Sequence, residues 1–81
     1  GQLERMRGDW VSTGSKPPFT LSEENGQYRV TVIKKSHAGN TRTETYLIRE
    51  TDGYLFIETG LAVMLTYDKE EDRIHLSPGG E

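Results

Sequence analysis

The sequence predicts an all-β fold, an antiparallel meander of about six or seven short strands, and three observations carry that expectation. The first is a series of turn signals at Asn25-Gly26, Ala38-Gly39-Asn40, Asp52-Gly53, Gly60-Leu61-Ala62 and Lys69-Glu70-Glu71-Asp72. The second is that the segments between them carry apolar residues at alternate positions, the period of a strand with one buried face. The third is the lack of a long helical pattern: Leu3 and Met6 are spaced for one face of a short helical turn, and Gly8-Asp9 end it.

The elements follow in order. After the helical turn, Trp10-Val11-Ser12-Thr13 reads as the first strand. Gly14-Ser15-Lys16-Pro17-Pro18 reads as a loop, because proline has no N–H to give to a ladder. Phe19-Thr20-Leu21-Ser22-Glu23 opens the continuous meander. A two-residue type I′ turn at Asn25-Gly26 sets Leu21 against Val30 and Phe19 against Val32. A three-residue loop at Ala38-Gly39-Asn40, with Asn40 taking positive φ, sets Val32 against Tyr46 and Val30 against Ile48. The Asp52-Gly53 turn sets Ile48 against Ile57 and Glu50 against Leu55. Three loop residues from Gly60 to Ala62 set Ile57 against Leu65 and Leu55 against Tyr67, and four from Lys69 to Asp72 set Leu65 against Leu76 and Tyr67 against Ile74. Leu21, Val30, Ile48, Ile57, Leu65 and Leu76 then form the middle row of one buried face.

With 81 residues, 32% of them hydrophobic, the chain is one small domain spanning 1–81, able to bury roughly 60% of its unfolded surface. It has no cysteine, so neither disulfides nor thiolates can hold it together. No long helix is available to cover the apolar face, so the sheet is expected to curl into a small barrel or half-barrel, or to pack on another copy. Trp10 is the natural plug for one open end. No run approaches the ~18 to 20 apolar residues of a membrane span, and a cytoplasmic protein is expected. The net charge of −3 argues against a dedicated nucleic-acid binder.

At Gly8-Asp9-Trp10 the chain resembles the Gly-Xaa-Trp opening of lipocalin-like barrels, which implies consecutive hairpins around a small interior. A resemblance covering the chain from Arg7 onward rests on Trp10-Val11-Ser12, on Tyr28-Arg29-Val30-Thr31-Val32 and on Ile74-His75-Leu76-Ser77-Pro78-Gly79-Gly80-Glu81. These segments look like a small domain of unknown function carried on conjugative transposons of Bacteroidetes. That resemblance implies an accessory protein of a mobile element and supplies no catalytic residues.

Little in the chain points to catalysis, and no cofactor or metal site is expected. His37 at a hairpin tip and His75 on an outward face have no partners at metal-ligand or triad spacing. Glu23 and Glu50 fall on the inward parity at strand ends, where they read as solvated rim residues. Tyr28, Tyr46 and Tyr67 point inward, with Glu50 within the pattern as a hydroxyl partner. Ser77-Pro78-Gly79-Gly80 is glycine-rich but does not match a phosphate-binding loop.

The outward face holds more. The expected register places Arg29, Arg49, Phe56, Thr66 and His75 in one row, with Thr31, Leu47, Glu58 and Met64 in the next. Two arginines beside an aromatic resemble a platform for single-stranded nucleic acid. The same residues also suit an ordinary solvent face, with the Arg49 stem lying on Phe56. Leu47, Phe56 and Met64 form an apolar patch rimmed by charge, suited to a protein partner or a homo-oligomer. The expected function is a non-enzymatic binding or interaction module, the alternatives being a single-stranded nucleic-acid binder and a carrier of a small apolar ligand. The residues singled out for interaction are Arg29, Leu47, Arg49, Phe56, Met64 and His75.

Overall fold

In the computed structural model, residues 2–14 and 16–78 are described; the glycines after Pro78 lie outside them. The chain runs as α1 (Gln2–Met6), β1 (Gly8–Trp10), β2 (Phe19–Glu24), β3 (Gln27–Lys35), β4 (Thr41–Leu47), β5 (Arg49–Thr51), β6 (Tyr54–Glu58), β7 (Ala62–Asp68) and β8 (Arg73–Pro78). The strands form two antiparallel four-stranded sheets, β1-β2-β3-β4 and β5-β6-β7-β8, each in sequence order. The fold is all-β, as expected, with eight strands among the described residues rather than six or seven. The sheets do not close into a barrel, and β1 and β8 are both left as edge strands.

The two Xaa-Gly turns are type I′ in their dihedrals: Asn25 and Gly26 have φ of 54° and 82°, and Asp52 and Gly53 have φ of 52° and 83°. Their strand pairings match the expected register, with Leu21 opposite Val30 and Glu50 opposite Leu55. The four-residue turn also behaves as expected, giving Leu65 opposite Leu76 and Tyr67 opposite Ile74. There the Asp68 carboxylate accepts the backbone N–H of Glu70 at 3.0 Å and of Glu71 at 3.3 Å, and Asp72 takes positive φ.

Two loops correct the expected register. Ser36 N donates to Asn40 O at 2.8 Å and Gly39 has a φ of 85°, so the turn is His37-Ala38-Gly39, one residue earlier than expected. Glycine rather than Asn40 takes the left-handed position, because it has no Cβ to clash there. Val30 therefore faces Tyr46, and Val32 faces Glu44. Likewise Thr59 N donates to Leu61 O at 3.0 Å across Gly60, and Leu55 faces Leu65 while Ile57 faces Val63. Each correction moves the pairing by two residues. Side chains alternate with a period of two, so no strand changes face.

The expected pairing of Ile48 with Ile57 is absent for a different reason. Ile48 N donates to Tyr28 O at 2.9 Å, completing the bonds of β4 to β3, and from Arg49 onward the chain pairs with β6 instead. β4 and β5 are thus two halves of one bent strand that changes partner at Ile48. That bend joins the two sheets and lets their inner faces meet.

The core consists of Met6, Leu21, Val30, Leu55, Ile57, Val63 and Leu65, with Ile48, Tyr46, Leu76 and others packed partly against it. Met6 is fully buried, at 0% exposure. The short helix therefore inserts a side chain between the sheets, a central core role not expected of so brief an element. Trp10 stands at the same end. Its indole Nε1–H donates to Met6 O at 2.7 Å, satisfying a carbonyl at the helix C-terminus. Its ring stacks on Phe19 with centroids 6.5 Å apart, and meets Tyr67 edge-on at 6.3 Å. Since Phe19 belongs to the first sheet and Tyr67 to the second, Trp10 ties the two together. The expected strand over Trp10 to Thr13 is shifted: pairing starts at Gly8 and ends where Trp10 faces Phe19.

Candidate functional site: the outer face of the second sheet

On β5 to β8 the residues alternating with the core set point outward. They are Arg49 and Thr51 on β5, Tyr54, Phe56 and Glu58 on β6, Ala62, Met64, Thr66 and Asp68 on β7, and Arg73, His75 and Ser77 on β8. The ladder lays Arg49, Phe56, Met64 and Ser77 in one cross-strand row. A second row holds Thr51 opposite Tyr54 on one side and Thr66 opposite His75 on the other. Phe56 and Met64 are direct cross-strand neighbours, the closest side-chain relation a sheet offers. Tyr54 is 60% exposed and follows the left-handed Gly53 on the same face as Phe56. Phe56 and Met64 are half-buried.

The row expected from the sequence comes apart. Arg29 pairs with Leu47 and with Ser22 on the first sheet, not with Arg49. His75 pairs with Thr66 and lies one row away from Phe56. All six singled-out residues keep their outward orientation, but only Arg49, Phe56, Met64 and His75 share the second sheet. Leu47, 43% exposed, and Arg49 flank Ile48 at the bend. Together with Leu3 and Tyr28 they line a shallow depression of about 400 Å³.

The cations differ between the two sheets. Arg29 donates to Glu24 Oε1 at 2.6 Å. Lys34 Nζ lies 2.6 Å from Glu44 Oε1, and Arg42 lies 3.9 Å from Glu44 Oε2. Those three arms are occupied by carboxylates. Arg49 and Arg73 make no ion pair among the described residues.

Two of the three inward tyrosines find partners other than the expected Glu50. Tyr46 donates its hydroxyl to Glu44 Oε1 at 2.9 Å, and Tyr67 to Asp72 Oδ1 at 2.7 Å, while Glu50 is exposed. The hydrogen bonds from Lys34 and then Tyr46 hold the Glu44 carboxyl below the usual carboxylate range. Donating to a carboxylate raises the Tyr46 phenol, and the hydrogen bond to Asp72 raises that of Tyr67. Glu23 is half-buried, and its Oε2 accepts the Gly26 N–H at 2.7 Å, so it serves the turn. Among the described residues no group of three or more His, Asp or Glu is placed to hold a metal ion. None of their helices is long and apolar enough to cross a membrane.

The sequence underweighted Tyr54. The signal was present in its spacing of two from Phe56, which puts both rings on one face whatever the neighbouring strands do. The profile of a family described as a domain of unknown function, B. Theta gene description (DUF3876), matches residues 1–81. Neither a curated protein nor a solved structure matches the chain. The chain, matched over its full length, belongs to the DUF3876 family of domains of unknown function.

Proposed function

We propose that the domain is a non-enzymatic protein-interaction module whose contact surface is the outer face of β5 to β8, and that a second copy of the chain is its first partner. The observation carrying this reading is the apolar stripe of Tyr54, Phe56 and Met64, with Tyr54 60% exposed. In an ordinary antiparallel sheet with one face buried, these positions are polar. The stripe is bordered by both signs of charge, Arg49 and Arg73 against Glu58 and Asp68. A patch carrying both signs around an apolar centre can be complementary to itself under a two-fold rotation. The cytoplasm as its compartment and an accessory role on a mobile element belong to the same reading, and rest on the resemblance to domains carried on conjugative transposons.

A single-stranded nucleic acid is the less favoured occupant. The net charge is −3, and Arg29, Lys34 and Arg42 are already paired with carboxylates. A carrier of a small apolar ligand is also disfavoured, because the inner faces of the two sheets bury Leu21, Val30, Leu55, Ile57 and Leu65, with Met6, in one shared cluster.

Light scattering over a range of concentrations tests the proposal. The unaltered chain should show twice its 9.2 kDa mass, and Tyr54→Lys, at an exposed position, should return it to a monomer with an unchanged circular dichroism spectrum. Phe56→Glu should do the same wherever it folds. A chain that is monomeric at every concentration rejects self-association. An oligomer indifferent to Tyr54→Lys rejects this face.

A further inference from the structure

An open seam runs between edge strands β1 and β8 of the two sheets. We propose that the cleft between edge strands β1 and β8 accepts an extended peptide as an added strand, and that the peptide alternates apolar and acidic residues. This surface meets the outer face of β5 to β8 at Arg73 and His75 on β8, but it is built on strand edges and the argument for it does not use the Tyr54, Phe56 and Met64 stripe.

Four observations support it. First, the cleft measures about 740 Å³ and is bordered by consecutive residues on each side, Gly8 to Thr13 and Arg73 to Leu76, so strand β1 with the segment that follows it lies along one wall and strand β8 along the other. That volume falls within the usual range for binding pockets, about 300 to 1,000 Å³. Second, both strands are terminal in their sheets, and among the described residues no backbone hydrogen bond outside the ladders involves 8–13 or 73–78. Exposed edge groups of this kind are a template for one more strand, and strand addition is a common mode of peptide recognition.

Third, Val11-Ser12-Thr13 has the composition of a strand but no ladder partner, and Val11 is 84% exposed at the cleft. An added strand would give this segment something to order against. Fourth, the lining has a chemical sense. Trp10, Phe19, Ile74 and Leu76 all lie in it and are only partly buried, leaving apolar surface for alternate side chains of a guest. Arg5, Arg7, Lys16 and Arg73 also line it, four of the chain's ten Lys and Arg. Among the described residues the acids lining it are Asp9, Glu71 and Asp72. Two of those three already accept hydroxyl hydrogen bonds at 2.7 Å, Asp9 from Thr20 and Asp72 from Tyr67. The described lining thus carries one more basic than acidic side chain on a chain of net charge −3, and with two of its carboxylates held by hydroxyls the free arms favour acidic side chains at the alternate positions of the guest.

The test uses an end-capped heptapeptide of alternating Val and Glu, followed by amide chemical shifts and Trp10 fluorescence. The expected result is shift changes and slowed hydrogen exchange at 11–13 and 73–77, with a change in Trp10 emission. A peptide of the same sequence with N-methylated backbone should lose binding, because strand addition depends on backbone N–H groups. The double variant Lys16→Glu, Arg73→Glu should bind about tenfold more weakly, from two solvent-exposed charge contacts reversed, whereas Tyr54→Lys should bind as the unaltered chain does. The proposal is overturned by an absence of shifts at millimolar peptide, by equal binding of a Val and Lys peptide, or by retained binding after N-methylation. It is also overturned if exchange at 73–77 in the peptide-free Tyr54→Lys variant slows with rising protein concentration, since a second copy would then be the occupant of the edge itself.

Discussion

The two sheets break the simple alternation of a half-buried sheet in opposite ways. On the first sheet, inward positions toward the tip of the β3-β4 hairpin are charged: Lys34 and Glu44 pair there at 2.6 Å, and Tyr46 donates to the same carboxylate. On the second sheet, outward positions are apolar, with Phe56 opposite Met64 and Tyr54 beside them. Parity says which side of a sheet a residue occupies. It does not say whether anything covers that side. Toward the tip of the β3-β4 hairpin the inward Lys34 and Glu44 side chains remain partly exposed, so that end of the inner face meets water and carries ions. The second sheet has the reverse arrangement, an outer face suited to being covered.

The largest effects should come from the shared core. Leu65 is 3% exposed, and Leu65→Ala should cost about 2 to 5 kcal/mol of unfolding free energy. Ile33, 37% exposed on the outer face of the first sheet, should lose less than about 0.5 kcal/mol as Ile33→Ala. Denaturant titrations of the two variants measure the contrast directly. Equal losses would mean that the outer face of the first sheet is covered too.

Next in size are the left-handed glycines, one type I′ turn in each sheet. Gly26→Ala and Gly53→Ala place a Cβ at φ of 82° and 83°, with nothing within 4 Å to clash. The cost is therefore purely conformational, about 1 to 2 kcal/mol each. Thermal melts should show both variants equally destabilised. A much larger loss for one of them would show that its hairpin contributes more to cooperative folding. Trp10→Phe keeps a ring but loses the 2.7 Å bond to Met6 O, and should cost about 0.5 to 1.5 kcal/mol, measured in the same titrations.

The smallest effects are electrostatic and belong to opposite ends of the pH scale. Glu44 on the first sheet has a depressed folded-state pKa. Its contribution is present above the unfolded carboxylate pKa, about 4.3, and is lost as pH falls from there through the folded value. Tyr67 on the second sheet has a raised folded-state pKa. Its contribution is present below about 10 and is lost as pH rises through the folded value. Glu44→Gln should flatten the acid limb of the stability profile and also weaken the part of the alkaline limb that comes from Tyr46, whose phenol is raised by that carboxylate, whereas Tyr67→Phe should flatten the alkaline limb and leave the acid limb alone.

Much of this fold was legible in the sequence because its turns are chemically explicit. Asn25-Gly26 and Asp52-Gly53 allow positive φ at both central positions, so the strands beside them pair as counted. The other two three-residue loops left open which residue would turn, and Gly39 and Gly60 took the positive φ while Asn40 and Ala62 did not. That error of two residues kept the faces but dissolved the expected row of Arg29, Arg49, Phe56 and His75. The change of partner at Ile48 could not be read at all, because the alternation of apolar residues runs through the bend without interruption. Met6 was legible with Leu3 as one face of a helical turn, but its burial between the sheets was not, because a five-residue helix is too short for its pattern to report what covers that face. The cleft at the open seam depends on two strands 63 or more residues apart in sequence, β1 and β8, and no local signal reports that they fail to pair.

Amide hydrogen exchange followed as a function of protein concentration tests the difference between the sheets most directly. Protection should rise with concentration in 54–58 and 62–66 on the second sheet, and stay constant in 31–35 and 41–47 on the first. Rising protection confined to the first sheet, or none anywhere, would contradict the assignment of the outer face of β5 to β8 as the contact surface.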